Sequence, residues 1–187
     1  MKNQKYFLET KKICLSTSDE INFKKYKSWI NNRTTIGFLE TGHFPRSESE
    51  LKNYIEEINQ SDHSVIFAVI EKETGKYIGN AKVGPIDWIN RRAEFGRMIG
   101  EESARGKGYG KEITALLMKY AFKILNLNKL TAGAISNNYA SIKSNKKSGL
   151  NIEGEFKEHV YNNGHYMDVV KMAITRKQYL KEFKIED

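Results

Sequence analysis

The chain has 187 residues, 39% hydrophobic and 29% charged, which suits one soluble globular domain with a substantial core. No apolar run approaches the ~20 residues of a membrane-spanning helix, and Met1 to Lys12 is too polar for a secretory signal. Cys14 is the only cysteine, which excludes an internal disulfide and fits a reducing, cytoplasmic compartment. The 31 basic against 23 acidic residues give a net charge of +8, which favours anionic ligands. The lysines are scattered, however, and no helix-turn-helix, zinc-ligand spacing or RNP-type motif accompanies them, so neither nucleic acid nor membrane is expected as a partner.

In chain order, Thr17-x-x-Glu20 reads as a capping box opening a helix whose stripe is Ile21, Tyr26, Trp29 and Ile30. Gly42-His43-Phe44-Pro45-Arg46 reads as a loop, and Ser47-x-x-Glu50 opens a second helix carrying Leu51, Tyr54, Ile55 and Ile58. Residues 65–70 form a buried strand that turns at Thr74-Gly75 into a strand over 77–83. Pro85 to Arg92 leads to a strand over 93–99. After a glycine-rich segment, Ile113, Leu116, Leu117, Tyr120, Ala121 and Ile124 mark an amphipathic helix.

A strand over 129–136 and a short helix over 140–147, ended by Gly149, come next. Residues 155–161 and 166–175 flank Asn162-Asn163-Gly164 as a hairpin, and 176–183 is a short terminal helix. The pattern is that of a single α/β domain over 1–187, with its core at about 12–175 and a mixed, mostly antiparallel sheet flanked by helices.

Arg105-Gly106-Lys107-Gly108-Tyr109-Gly110 stands between the 93–99 strand and the long helix. Glycines without Cβ let consecutive N–H groups turn toward one anion, and the helix N-terminus adds free amides and the positive end of its dipole. The segment is therefore a phosphate cradle. It is not a P-loop, because no Gly-Lys pair is followed by Ser or Thr. Nor is it the G-x-G-x-x-G dinucleotide fingerprint, whose last glycine is replaced by Lys111.

The pattern [QR]-x-x-G-x-[GA], met by Arg105, Gly108 and Gly110, resembles the acetyl-CoA signature of the GCN5-related N-acetyltransferases (GNAT). Asn138-x-x-Ser141-Ile142, Lys147-x-Gly149-Leu150, Glu153-Gly154 and Tyr161-x-Asn163-Gly164-x-Tyr166-x-Asp168 resemble the ribosomal-protein N-terminal acetyltransferase branch. Arg91-Arg92-Ala93-Glu94-Phe95 resembles that branch and the spermidine acetyltransferases. The resemblance implies splayed central strands that hold acetyl-CoA, with backbone groups of Met98 and Ile99 along the pantetheine arm. It further implies Gly106, Lys107, Gly108, Tyr109 and Gly110 with Arg105 at the pyrophosphate, and Asn138 touching the arm. As a residue in its own right, Asn138 is equally a helix cap.

Many members of the family use a tyrosine as the acid for the departing thiolate, and Asn145 stands in its place. Ser141 matches the serine used in the ribosomal branch, while a hydroxyl capping its own helix turn is the plainer role. Glu94 is the first candidate base, with an ion pair to Arg91 or Arg92 as its structural alternative. Glu158 is the second, placed by period 2 on the face of Val160. His43, Phe44, Trp88, Arg91, Tyr161 and Tyr166 are expected around the acceptor, although many of these aromatics could equally fill the core. No metal site is expected, because the four histidines lack ligand spacing.

The expected function is acetyl-CoA-dependent N-acetylation of a small-molecule or peptide primary amine. An amino sugar, which could be nucleotide-linked, comes ahead of a protein N-terminus, and the net charge disfavours a polyamine. A non-catalytic acyl-CoA-binding or regulatory module is the alternative of another class, and a homodimer stays open.

Overall fold

A computed structural model describes residues 6–37, 44–162 and 164–183. Its elements are β1 (Leu8–Glu9), β2 (Ile13–Ser16), α1 (Phe23–Ile30), α2 (Arg33–Ile36), α3 (Glu48–Asn59), β3 (Val65–Glu71), β4 (Lys76–Asp87) and β5 (Arg92–Ile99). There follow α4 (Tyr109–Lys119), β6 (Lys129–Ile135), α5 (Tyr139–Lys147), β7 (Asn151–Asn162), β8 (His165–Thr175) and α6 (Arg176–Glu182). All eight strands form one sheet in the order β1-β2-β3-β4-β5-β6-β8-β7, antiparallel except for β5 against β6.

Local chemistry explains the ends of the helices. Ser47 and Glu50 form the expected capping box of α3, the hydroxyl accepting from Glu50 N–H and the carboxylate from Ser47 N–H. Thr17 caps nothing with its side chain. The turn behind it is a short 3₁₀ segment, and α1 starts later, where the Asn22 side chain accepts from Lys25 N–H at 3.0 Å. At the far end of α4 the chain widens into a π-helical turn over Tyr120–Ile124, closed by Leu125 N–H donating to the Tyr120 carbonyl.

Strand β4 does not stop at Val83. It bulges between Val83 and Ile86, where Pro85 loses no ladder bond, and then pairs again with β5.

Successive residues of β5 serve two cores. Ala93 and Phe95 join the cluster beneath α4, with Ile113, Leu117 and Leu130. Met98 packs on the other face, against the cluster of Tyr26, Trp29, Leu51, Ile55 and Tyr77 from α1, α3 and β4. The sheet is thus covered by α1 and α3 on one side and by α4 and α5 on the other. Whatever enters between the central strands meets both layers.

Candidate active site

The sheet is forked at its centre. β5 and β6 pair only at Arg92↔Lys129, Ala93↔Leu130 and Glu94↔Thr131. Beyond that vertex β5 continues to Ile99 paired only with β4, and β6 continues to Ile135 paired only with β8. Residues 95–99 and 132–135 therefore present facing backbone edges that bond no neighbouring strand. An edge of unpaired N–H and C=O groups is a template for a ligand carrying amides of its own.

The glycine-rich segment closes the open end of the fork. Gly106 and Gly108 adopt left-handed backbone with φ of 74° and 84°, and a Cβ at either would meet nothing within 4 Å. Among the described residues, the amides of 106–110 donate to no protein group, whereas Arg105 N–H and Lys111 N–H are satisfied by Glu102 and Gly108 carbonyls. These donors sit at the positive end of α4, which makes the loop an anion cradle. Gly110 has a different reason to lack a side chain: its Cβ would lie 3.3 Å from Ser144 Oγ and 3.4 Å from Arg97 Nε.

The charged side chains of this loop are turned away from the cradle. Arg105 donates through Nε to the Ile99 carbonyl at 3.1 Å and through Nη2 to the Gly100 carbonyl and Thr35 Oγ1, so it clamps the end of β5 to α2. Lys107 and Tyr109 both donate to Oε1 of the buried Glu71, at 3.1 and 2.7 Å, while Thr74 donates to its Oε2 at 2.7 Å. Hydrogen bonds from Thr74, Tyr109 and Lys107 hold the Glu71 carboxyl down to about 2. The bond to Glu71 raises the Tyr109 phenol to about 12. A cavity of about 530 Å³ bordered by Lys11, Lys12, Lys72, Glu73, Lys107 and Tyr109 extends the basic surface beside the cradle.

Glu71 is a depressed carboxylate, so its contribution to stability is present above its unfolded value of 4.5 and is lost as pH falls toward about 2. Glu71→Gln is expected to cost roughly 2 kcal/mol at neutral pH, as for a buried charge-assisted bond. The gap between thermal melts of the two forms should narrow as the pH is lowered from about 7 to about 3. A constant gap would show that the carboxylate's charge does not anchor the loop.

Catalytic candidates fall in three places. Glu94 stands at the vertex of the fork; its partner is Lys171 on β8, at 3.2 Å, and not Arg91 or Arg92. Ser141 lies one helical turn before Asn145 on α5, and its N–H donates to the cap side chain of Asn138 at 3.1 Å. Asn138 is thus a helix cap, positioned at the top of the fork just beyond β6.

Glu158 is displaced by a bulge. Between Phe156↔Val169 and Val160↔Met167, residues 157–159 oppose Asp168 alone, so period-2 counting from Val160 fails. Glu158 has φ of 47°, and its N–H donates to Asp168 Oδ1 at 2.8 Å. That bond and one from Lys157 hold the Asp168 carboxyl below its usual range.

The expected acceptor residues separate. Tyr161 and Tyr166 face each other across the hairpin, T-shaped with centroids 5.2 Å apart and both exposed. Asn162 Nδ2 donates to the Gly37 carbonyl at 2.7 Å, which brings the hairpin tip to the end of α2. Trp88 and Arg91 lie instead at the paired end of β5. Trp88 Nε1 donates to the Asp62 carbonyl, and Arg91 donates through Nε and Nη2 to the Asn126 carbonyl, tying the β4–β5 turn to the segment before β6. Phe44 is exposed, and His43 lies outside the described residues.

Sequence reasoning missed Arg97, whose Nη1 donates to Asn145 Oδ1 of α5 at 2.7 Å, on the helix-covered face of β5. An alternating strand gives no sign that one of its members is a cation turned to the helix layer. It also missed a cavity of about 440 Å³ between α1 and α3, bordered by Tyr26, Arg46, Glu50, Asn53, Tyr54 and Glu57.

A forked sheet with a glycine cradle and helix N-terminus at its open end defines an acyl-CoA-binding fold of the acetyltransferase type. The family model described as an acetyltransferase (GNAT) domain matches residues 15–170, and the chain belongs to that family. Spermidine N(1)-acetyltransferase of Escherichia coli (strain K12) is 36% identical over 110 residues, 59% of this chain and 59% of that one. The chain therefore spans less than two thirds of that relative's length.

The putative ribosomal N-acetyltransferase YdaF of Bacillus subtilis (strain 168) is 30% identical over 105 residues, 56% of this chain and 57% of its own. Among solved structures, spermidine N-acetyltransferase from Vibrio cholerae, in complex with CoA and spermine, superposes with a TM-score of 0.83. It is 25% identical, with 90% of this chain and 98% of that one covered. Among the described residues, no helix is long and apolar enough to cross a membrane.

Proposed function

We propose that this protein transfers the acetyl group of acetyl-CoA directly to a primary amine, and that a polyamine is its acceptor. The fork carries the first part. The edge of residues 95–99 that faces β6 is unpaired and suits the amides of a pantetheine arm, and the free amides of 106–110 suit a pyrophosphate. These residues fit acetyl-CoA, which would supply the activated acyl group. Glu94, at the vertex, is the carboxylate placed to take the proton of the attacking amine.

The cavity between α1 and α3 supports the second part. It brings Glu57 and Glu50, the latter 3.6 Å from the Arg46 guanidinium, together with the rings of Tyr26 and Tyr54, and the carboxylates and aromatic faces suit an extended polycation. The net charge of +8 argues against a polycation only when averaged over the chain. Locally α3 carries Glu48, Glu50, Glu56 and Glu57 against Lys52, so the helix beside the cavity is acidic. The relatives' spermidine activity points the same way, and the amino sugar drops behind the polyamine as the first acceptor to test.

Thiol release from acetyl-CoA across spermidine, spermine, amino sugars, nucleotide-linked amino sugars and N-terminal peptides measures this choice. The highest kcat/KM is expected with a polyamine. A higher kcat/KM for an amino sugar or a peptide terminus would overturn the acceptor, and bound acetyl-CoA with no release to any amine would make the chain a binding module.

A further inference from the structure

Arg97 is a partly buried cation with no anionic partner among the described residues. On β5 it pairs with Ala81 of β4 and shares a face with Phe95, whose ring lies 5.7 Å from its guanidinium. That face is covered by α4 and α5. Nη1 donates to Oδ1 of Asn145, a residue 1% exposed, and Nε lies against Gly110 in the first turn of α4. Among the described residues no carboxylate stands within ion-pair distance of it. Glu94, three positions back, belongs to the opposite face and pairs with Lys171.

Burial draws the guanidinium down to about 10, which leaves it charged at neutral pH. A guanidinium has five N–H donors, and this one makes a single hydrogen bond, to a neutral amide. A partly desolvated charge of this kind is stabilised by an anion that joins it.

Acetyl transfer creates one anion inside the fork. As the amine nitrogen forms its C–N bond to the acyl carbon, the C–S bond breaks and its electron pair leaves on sulfur. The amine's surplus proton goes to Glu94 or to water. Resting on the acetyl-CoA reading above, we propose that Arg97, held by Asn145, is a catalytic residue that receives the negative charge on the departing sulfur.

The donor's phosphates have their own partners in the free amides of 106–110. The guanidinium instead reaches inward, to a residue near the end of α5, beside the open edges of 95–99 and 132–135. Arg97 keeps its proton throughout, and water later protonates the sulfur. Charge stabilisation of this kind replaces an obligatory acid. Ser141→Ala is accordingly expected to lower kcat less than about tenfold, against the ~10²–10⁴ of a required proton donor.

The test needs no acceptor amine. CoA and desulfo-CoA are titrated into the protein by calorimetry over a range of pH spanning ionisation of the free thiol. In the wild type, CoA affinity should climb with pH and desulfo-CoA affinity should not, with the bound thiol titrating at least about one unit below the free thiol, a tenfold preference for thiolate. Arg97→Met should make the CoA profile as flat as that of desulfo-CoA, and Arg97→Lys should keep part of the rise.

Equal loss of CoA and desulfo-CoA affinity in Arg97→Met, with the rise intact, would assign the guanidinium to a phosphate and overturn the proposal. A flat wild-type profile would overturn it too, and so would an unchanged rise in Arg97→Met. Failure of the wild type to bind either ligand would instead sink the acetyl-CoA reading on which the proposal rests.

Discussion

Gly108→Val is expected to cut acetyl-CoA affinity at least ~100-fold, a loss of about 2.7 kcal/mol. Gly108 is the N-cap of α4, with φ of 84°, and a side chain there would project into the open space faced by the free amides of 106–110. A branched Cβ in that position blocks the approach of a pyrophosphate and also disfavours the backbone angle that aims the amides. The angle alone costs about 1–2 kcal/mol, which lowers the melting temperature of a chain this size by only several degrees. The variant should therefore remain folded while losing the ligand. Calorimetry with acetyl-CoA and a thermal melt separate the two effects, and unchanged affinity in a folded Gly108→Val protein would remove the cradle from the site.

Glu94→Gln should reduce kcat with a polyamine acceptor by ~10²–10⁴ while leaving acetyl-CoA affinity in place, the signature of a lost general base. The carboxylate stands at the last paired position of the fork, and glutamine retains its shape and its ability to accept from Lys171. Because the Glu94 side chain is 41% exposed, its ion pair contributes little to stability, up to about 1 kcal/mol. A purely structural Glu94 would thus show a small change in melting temperature and near-normal turnover. That outcome would pass the proton to water or to another group.

Much of this architecture was legible in the sequence because local chemistry and tertiary packing agree there. Apolar periodicity placed α3, α4 and β3, Ser47 and Glu50 fixed the start of a helix, and three closely spaced glycines marked the cradle. The failures have physical causes. β2 is four residues long and buried throughout, so it shows no alternation to detect.

Thr17 and Glu20 have the spacing of a capping box, but the chain leaves the helical path at Ile21, and Asn22 takes over as cap. Period-2 counting could not place Glu158, because a bulge inserts residues between Phe156 and Val160. Trp88 and Arg91, expected near the acceptor, have partners that the sequence does not show. Their bonds to Asp62 and Asn126 hold loops together at the paired end of β5.

The site itself divides in the same way. Backbone functions could be read from glycine content, whereas side-chain functions depend on contacts between distant elements. Lys107 and Arg105 are cations beside an anion cradle, yet one is held by Glu71 and the other by the carbonyls of Ile99 and Gly100. Arg97 and Asn145 lie 48 residues apart in sequence and meet only when β5 and α5 come together in the fold. Whole-chain charge likewise concealed the acidic surface of α3 beside the cavity between α1 and α3.

The most direct measurement of the central claim is amide hydrogen exchange with and without saturating acetyl-CoA. Binding in the fork should slow exchange in the alternate amides of 95–99 that face away from β4 and in 106–110 of the cradle, since a pantetheine arm and a pyrophosphate would take up these donors, which no neighbouring strand or loop engages. β3, paired on both sides by β2 and β4, should be unaffected and serves as the reference. Saturation of the protein with acetyl-CoA, without protection in either segment, would contradict the account and place the ligand elsewhere.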